Sequence, residues 1–298
     1  MSLIASLGAI EIGLIFGLVA LGVLMSFRII NFPDLTVDGS FPLGAAVAAT
    51  LIVAGWNPVA ATAVACVAGA VSGWVTAWLN VKLKIMQLLA SILVMIALYS
   101  INLRVMGKPN VALITEPTVF SMVDFGGMPE QWAKPLLLLL IVIIAKIVVD
   151  MFFASEAGLA MRATGGNARM ARAQGISTDF HTMAGLALSN ALVALAGALF
   201  AQSQGTADIS MGVGTIVIGL AAVIIGETLM PARSMVITTL ACIIGALLYR
   251  FFIAMALNTD FMGLQAQDLN LVTAVLVAFA LLVPAYKRKL GALFKGKN

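Results

Sequence analysis

Long apolar runs separated by short polar stretches dominate this chain from end to end. Cut at charges, prolines and loop-like stretches, they predict helices over 8–27, 39–56, 58–80, 86–106, 135–154, 180–202, 212–230, 233–256 and 269–286. A helix needs about 20 apolar residues to cross a hydrocarbon layer roughly 30 Å thick. The pattern therefore predicts an all-α, polytopic membrane protein with about eight or nine transmembrane helices. No boundary between independent domains is visible, so residues 1–298 read as one transmembrane domain. Composition agrees: 62% of residues are hydrophobic and 10% charged, against about 45–50% and 25% in soluble chains. That balance excludes a water-soluble enzyme. The first run carries Glu11 and lacks a basic flank, so it reads as an ordinary span and not as a cleaved leader.

Charge then orients the bundle. Lys82, Lys84, Arg162, Arg169, Arg172, Lys287, Arg288, Lys289, Lys295 and Lys297, with Arg28 and Arg233, fall on one side if nine spans alternate. The other side holds Lys108 and Lys134, with Arg104 and Arg250 near it, and the acids Glu116, Asp124, Glu130, Asp208, Asp260 and Asp268. Basic loops stay in the cytoplasm, which puts the 155–179 loop and the C-terminus there and the N-terminus outside. The expected location is the bacterial inner (plasma) membrane, crossed several times.

Three places carry chemistry. The segment 26–44 (SFRIINFPDLTVDGSFPLG) sets Asn31, Asp34, Asp38 and Ser40 among Pro33, Gly39 and Pro42. Each proline removes a backbone donor and opposes a continuous helix, so a broken helix is expected near 30–44. Such a break is tolerable at membrane depth only beside a cavity or other protein; a plain loop between spans fits the same residues. The loop 155–179 reads as a short surface helix, with Gly165-Gly166 breaking it, Gly175 closing it, and Met161 and Met170 available to a partner. Inside the spans stand Asn102, Asn190 and Gln202, and Lys146 and Asp150 at a spacing that pairs them along one helix face. Asn31, Asp34, Asp38, Ser40, Asn102, Asn190 and Gln202 are the candidate pathway residues. A helix starting near 38–44 would point its positive end at a carboxylate and the acids would face an ammonium, which suits an amino acid; neutral amides suit a sugar or nucleoside equally.

Enzymes are disfavoured. No GxxxxGK[ST] phosphate loop, HExxH or GxSxG occurs. His181 is the single histidine, and Cys66 and Cys242 both lie in apolar runs as small packing residues. No catalytic or metal-binding set is expected. DGSFPLGAAVAA (38–49) and GVGTIVIGLAAVIIG (212–226) are both glycine-interrupted starts to an apolar run, in the manner of repeated broken-helix elements.

Taken together, these segments resemble a known family. SFRIINFPDLTVDGSFPLGAAVAA (26–49), EAGLAMRATGGNARMARAQGI (156–176) and IGLAAVIIGETLMPARSMVITTLACIIGALLY (218–249) are similar, in this order, to permease subunits of ATP-binding-cassette (ABC) importers of the branched-chain amino acid and ribose type. Glu227 and Met230-Pro231 depart from the family's glycine-rich turn, and with Asp38 they resemble the subgroup named for tryptophan/tyrosine transport. The resemblance implies a permease, not an enzyme, forming the pathway for a small polar solute. Two permease copies would pair, and small residues in 69–74 and 191–201 would let them approach closely. Two ATPase subunits, carrying the ATP and Mg, would dock on the coupling loop through Glu156, Gly158, Arg162, Gly165, Gly166, Asn167, Arg169, Arg172 and Gly175. An extracytoplasmic solute-binding protein would deliver the solute. Membrane lipid is the remaining partner, nucleic acid is not expected, and no cofactor is expected in this chain. A secondary transporter is the competing class; it would need intramembrane ionisable groups, for which Lys146/Asp150 and Asp34/Asp38 are the candidates.

Overall fold

The computed structural model describes residues 3–122, 129–231 and 234–257, together with Val275 and Ala278. Helix α1 (Leu3–Val23) continues into a π-helical turn (Leu24–Ile29), and after a break come α2 (Val37–Val53), α3 (Pro58–Leu83) and α4 (Gln87–Met106). The next stretch holds strand β1 (Asn110–Ala112) and one turn of helix, α5 (Val119–Met122). Then follow α6 (Glu130–Ala154), α7 (Glu156–Gly166), α8 (Ala168–Ala173), α9 (Thr178–Gln204), β2 (Thr206–Asp208), α10 (Thr215–Leu229) and α11 (Met235–Leu257). Apart from Val275 and Ala278, the predicted segment 269–286 and the basic tail lie outside the described residues. The two strands pair antiparallel, with Val111 opposite Ala207, so among the described residues the architecture is all-α apart from a short ribbon. Three-residue strands carry no periodicity that a sequence could reveal.

Six of the described helical stretches are long and apolar enough to cross a membrane: Ala5–Ile29, Pro58–Leu83, Gln87–Met106, Trp132–Ala154, Thr178–Gln204 and Met235–Met255. The predicted segments 39–56 and 212–230 form helices as well, but shorter ones, of 17 and 15 residues. At 1.5 Å per residue both fall short of a full crossing.

The π-extended α1 is the hub. No charge interrupts it between Glu11 and Arg28, so it is apolar all round, as a buried helix must be. Ile15, Leu18, Val19, Ala20 and Leu21 are fully buried, in a core shared with α6, α9, α10 and α11. The helices around it are drawn together by glycines. A Cβ on Gly73 would lie 2.1 Å from the Leu186 carbonyl oxygen, on Gly44 2.0 Å from that of Ala194, and on Gly197 1.9 Å from that of Phe41. Gly245 stands in the same relation to Ala222 across α10 and α11. The small residues of 69–74 and 191–201 thus bring α3, α2 and α9 together inside one chain instead of facing a second copy. The outward side of α3 is bulky instead, with Val67, Val71, Trp74 and Trp78 exposed.

Candidate functional site

The break between the π turn and α2 occupies residues 30–36. Asn31 initiates it in the left-handed region at φ 59°, a conformation asparagine tolerates better than most residues. Helix α2 then runs without interruption through Gly39 and Pro42, so the break precedes the 38–44 stretch and does not extend through it. The cost of Pro42 is confined to the Asp38 carbonyl, which an unbroken hydrogen-bond ladder would have used. Gly212 packs directly there: a Cβ on it would be 2.1 Å from that oxygen and 2.5 Å from the proline ring.

From the second half of the break into α2 runs a polar seam where α2, α3 and α9 meet. The Asp34 carboxyl group accepts from the Thr36 N–H at 2.9 Å and from the Asn190 amide nitrogen at 2.7 Å. The Asn190 oxygen accepts from Ser40 Oγ at 2.7 Å, and the Ser40 and Ser72 hydroxyls share a 2.9 Å bond. Thr36 and Thr76 hydroxyls are 2.8 Å apart. Asp34, Thr36, Ser40, Thr76 and Asn190 are all fully buried. A buried polar network of this kind is stable when its members are satisfied, and here the helices supply the partners. The structure therefore brings together three of the seven candidate pathway residues, Asp34, Ser40 and Asn190, in a closed cluster.

The other four are dispersed. The Asp38 carboxylate accepts from the backbone N–H groups of Ile216 at 2.8 Å and Gly214 at 3.3 Å. It caps the first turn of α10 from another helix, a role normally filled by the residue just before a helix begins. The two similar stretches 38–49 and 212–226 thus meet at their N-terminal ends. Gln202 accepts from the Val119 N–H and donates to Thr62 Oγ1, both at 2.9 Å, so it anchors α5 to α9 and α3. Asn102 donates to the Gly39 carbonyl at 3.2 Å while its own oxygen is buried without a partner. Asn31 is exposed. Nothing in the sequence told a satisfied amide from one facing a solute; the glycines opposite Asn190 were the available signal.

Lys146 and Asp150 form an ion pair, as their spacing predicts, and Thr239 Oγ1 donates to the same carboxylate from α11 at 2.6 Å. Sequence reasoning missed the ion pair between Arg28 and Glu227, 2.8 Å apart across 199 positions, which ties the π turn to the end of α10. Among the described residues, no group of three or more His, Cys, Asp or Glu is placed to hold a metal ion.

At the same end of the bundle as Arg28 lies the 155–179 loop. Ser155 caps α7 by accepting from the Gly158 N–H at 3.3 Å, and Asn167 caps α8 by accepting from Met170 N–H at 3.1 Å. The break falls at Asn167, and α7 runs through Gly165-Gly166. Gly165 serves close packing instead. A Cβ on it would lie 1.8 Å from the Ile29 carbonyl oxygen, so α7 lies directly on the π turn. Gly158, Met161 and Thr164 form the buried stripe. Met161 is therefore core, not a partner contact, while Met170 is 64% exposed. The opposite face presents Glu156, Leu159, Arg162, Arg169 and Met170 to the exterior, and Gly175 closes the module at φ 81°. At the far end of the bundle, the β ribbon carries Asp208, whose carboxyl is held below the usual range by hydrogen bonds from Ser210.

Residues 7–286 match the family described as branched-chain amino acid transport system / permease component. A tyrosine transport system permease protein of Clostridioides difficile (strain R20291) is 39% identical over 264 residues, covering 89% of this chain and 86% of that protein. An uncharacterized protein of Rickettsia prowazekii (strain Madrid E) is 34% identical over 186 residues, 62% of this chain and 64% of its own length. No solved structure gives a significant match. With a multi-pass helical bundle in place, the family match over nearly the whole chain makes the protein a membrane transport subunit, and it belongs to the permease family of the branched-chain amino acid transport system.

Proposed function

We propose that this permease serves an ATP-driven importer of an aromatic or similar amino acid, and that a separate ATPase drives it through the α7–α8 module. The reading rests on the division of that module into two faces. One is buried by Gly158, Met161, Thr164 and Gly165 against α6, the π turn and α9. The other offers Arg162 and Arg169 beside the exposed apolar side chains of Leu159 and Met170. Exposed arginine with methionine and leucine is the composition of a protein-docking surface. Force applied there reaches α1 directly, because Gly165 rests on the Ile29 carbonyl. The basic loops at this end support a cytoplasmic position for it.

A second permease copy completes the pathway, and a solute-binding protein loads it at the end bearing the β ribbon. The saturated Asp34–Asn190–Ser40 seam acts as a rigid wall of the pathway and not as its lining. Amino acid as substrate follows the name of the Clostridioides relative. The test is reconstitution of the chain with its ATPase and binding protein in vesicles, followed by uptake of labelled tyrosine and of labelled ribose. ATP-dependent tyrosine uptake supports the reading. Uptake of ribose alone, or uptake that persists without the ATPase, overturns it.

A further inference from the structure

A cavity of about 510 Å³ opens at the loop end of the bundle, between the α3–α4 turn and the start of α9. Its walls carry two cations, Lys84 and Arg172, with Thr178 and Asp179 on the α9 side and Ile85 and Met86 on the α3–α4 turn. Three independent features make it more than a surface dent. Lys84 closes α3 in the left-handed region at φ 58°, where glycine is the default and a non-glycine residue costs local strain. Arg172 is drawn toward α9 by its own Nε, which donates to Thr178 Oγ1 at 2.9 Å; its terminal nitrogens stay available. Helix α4 begins at the same cavity without a side-chain cap, so its first N–H groups lack the partner a cap would supply. Asp179 answers one positive charge, so the cavity keeps a net cationic character. Met86 is 70% exposed and Leu83 54%, so the cationic floor adjoins an apolar, outward-facing rim.

We infer that this cavity binds a phosphate-bearing anionic group, with Lys84 and Arg172 as its recognition pair. The apolar rim fits the source being a phospholipid headgroup of the adjoining leaflet, its acyl chains passing over Leu83 and Met86. Basic pockets between spans are known to hold such headgroups. The site borders the proposed ATPase dock, sharing Arg172 of α8 with that module, but Arg162 and Arg169, the exposed arginines on which the dock rests, are not among its lining residues.

The test uses the full chain in nanodiscs of phosphatidylcholine alone or with phosphatidylglycerol, followed by native mass spectrometry of retained lipid. Retention of one phosphatidylglycerol by the wild type is expected, and K84G/R172Q should weaken it roughly thirty-fold, at about one surface-charge contribution per cation. K84G alone should cost roughly fivefold while suiting the left-handed backbone, so misfolding cannot explain its loss. K108Q, at the other end of the bundle, is the charge-matched control and should retain lipid fully. A parallel thermal-shift titration with inorganic phosphate separates the sources: stabilisation by phosphate without lipid retention supports the anion site and assigns it a soluble ligand. Equal retention by wild type and K84G/R172Q, together with no response to phosphate, overturns the inference.

Discussion

The seam between α2, α3 and α9 and the α7–α8 module both place polar residues in an apolar chain, and they use them in opposite ways. In the seam, Asp34, Ser40, Ser72 and Asn190 all find partners on a neighbouring helix or on the break itself. Glycines bring those helices into backbone contact. In the module only one face is packed, and Arg162 and Arg169 on the other are exposed. Polar residue type alone does not mark a working site. Satisfaction by the surrounding helices separates the two, because a buried amide with all its bonds made gains nothing from a solute, whereas an exposed arginine beside leucine and methionine is still available.

Backbone contact in the seam offers the severest challenge to this contrast. Gly197→Val would force α2 and α9 apart at the Phe41 carbonyl and should destabilise the protein by more than about 4 kcal/mol, seen as loss of a monodisperse detergent-solubilised species. Asn190→Ala would leave the Asp34 carboxyl group and Ser40 short of a partner. A cost of about 2–3 kcal/mol is expected, read as a lowered thermal midpoint, and Asn190→Asp should do no better because two acids would then face each other. Asp38→Ala removes only the cap on α10 and should cost about 1 kcal/mol, visible as a small drop in the same midpoint. Arg28→Gln breaks an ion pair whose arginine side chain is 65% exposed, and the thermal midpoint should hardly move, by less than about 1 kcal/mol in stability.

Much of the fold was legible in the sequence because hydrophobic length is a strong signal. Eight of the nine predicted segments correspond to described helices with ends displaced by a few residues, and the ninth, apart from Val275 and Ala278, lies outside the described residues. Pro42 misled: proline opposes a helix through its own missing N–H and the carbonyl four residues back, and here Gly212 packs onto that carbonyl from a distant loop. No local reading could include that contact. Gly165-Gly166 misled for the same reason, since Gly165 serves close approach to Ile29 and Asn167 supplies the cap that ends one helix and begins another. The small-residue stretches 69–74 and 191–201 read as faces for a second copy, whereas their glycines bring helices of the same chain together; which helix approaches is a tertiary fact. The site divides likewise: the exposed face of the module could be read from its arginines, while the seam required knowing that Asp34, Ser40 and Asn190 converge.

The double substitution R162E/R169E puts the proposed coupling role of the exposed α7–α8 face to its sharpest trial. Both side chains are exposed, so insertion and thermal stability should match the wild type. Copurification with the ATPase and solute-stimulated ATP hydrolysis should both fall by roughly tenfold or more, as expected for charge reversal in a complementary contact. A variant that copurifies with the ATPase and transports like the wild type would contradict that role and move the dock to another surface.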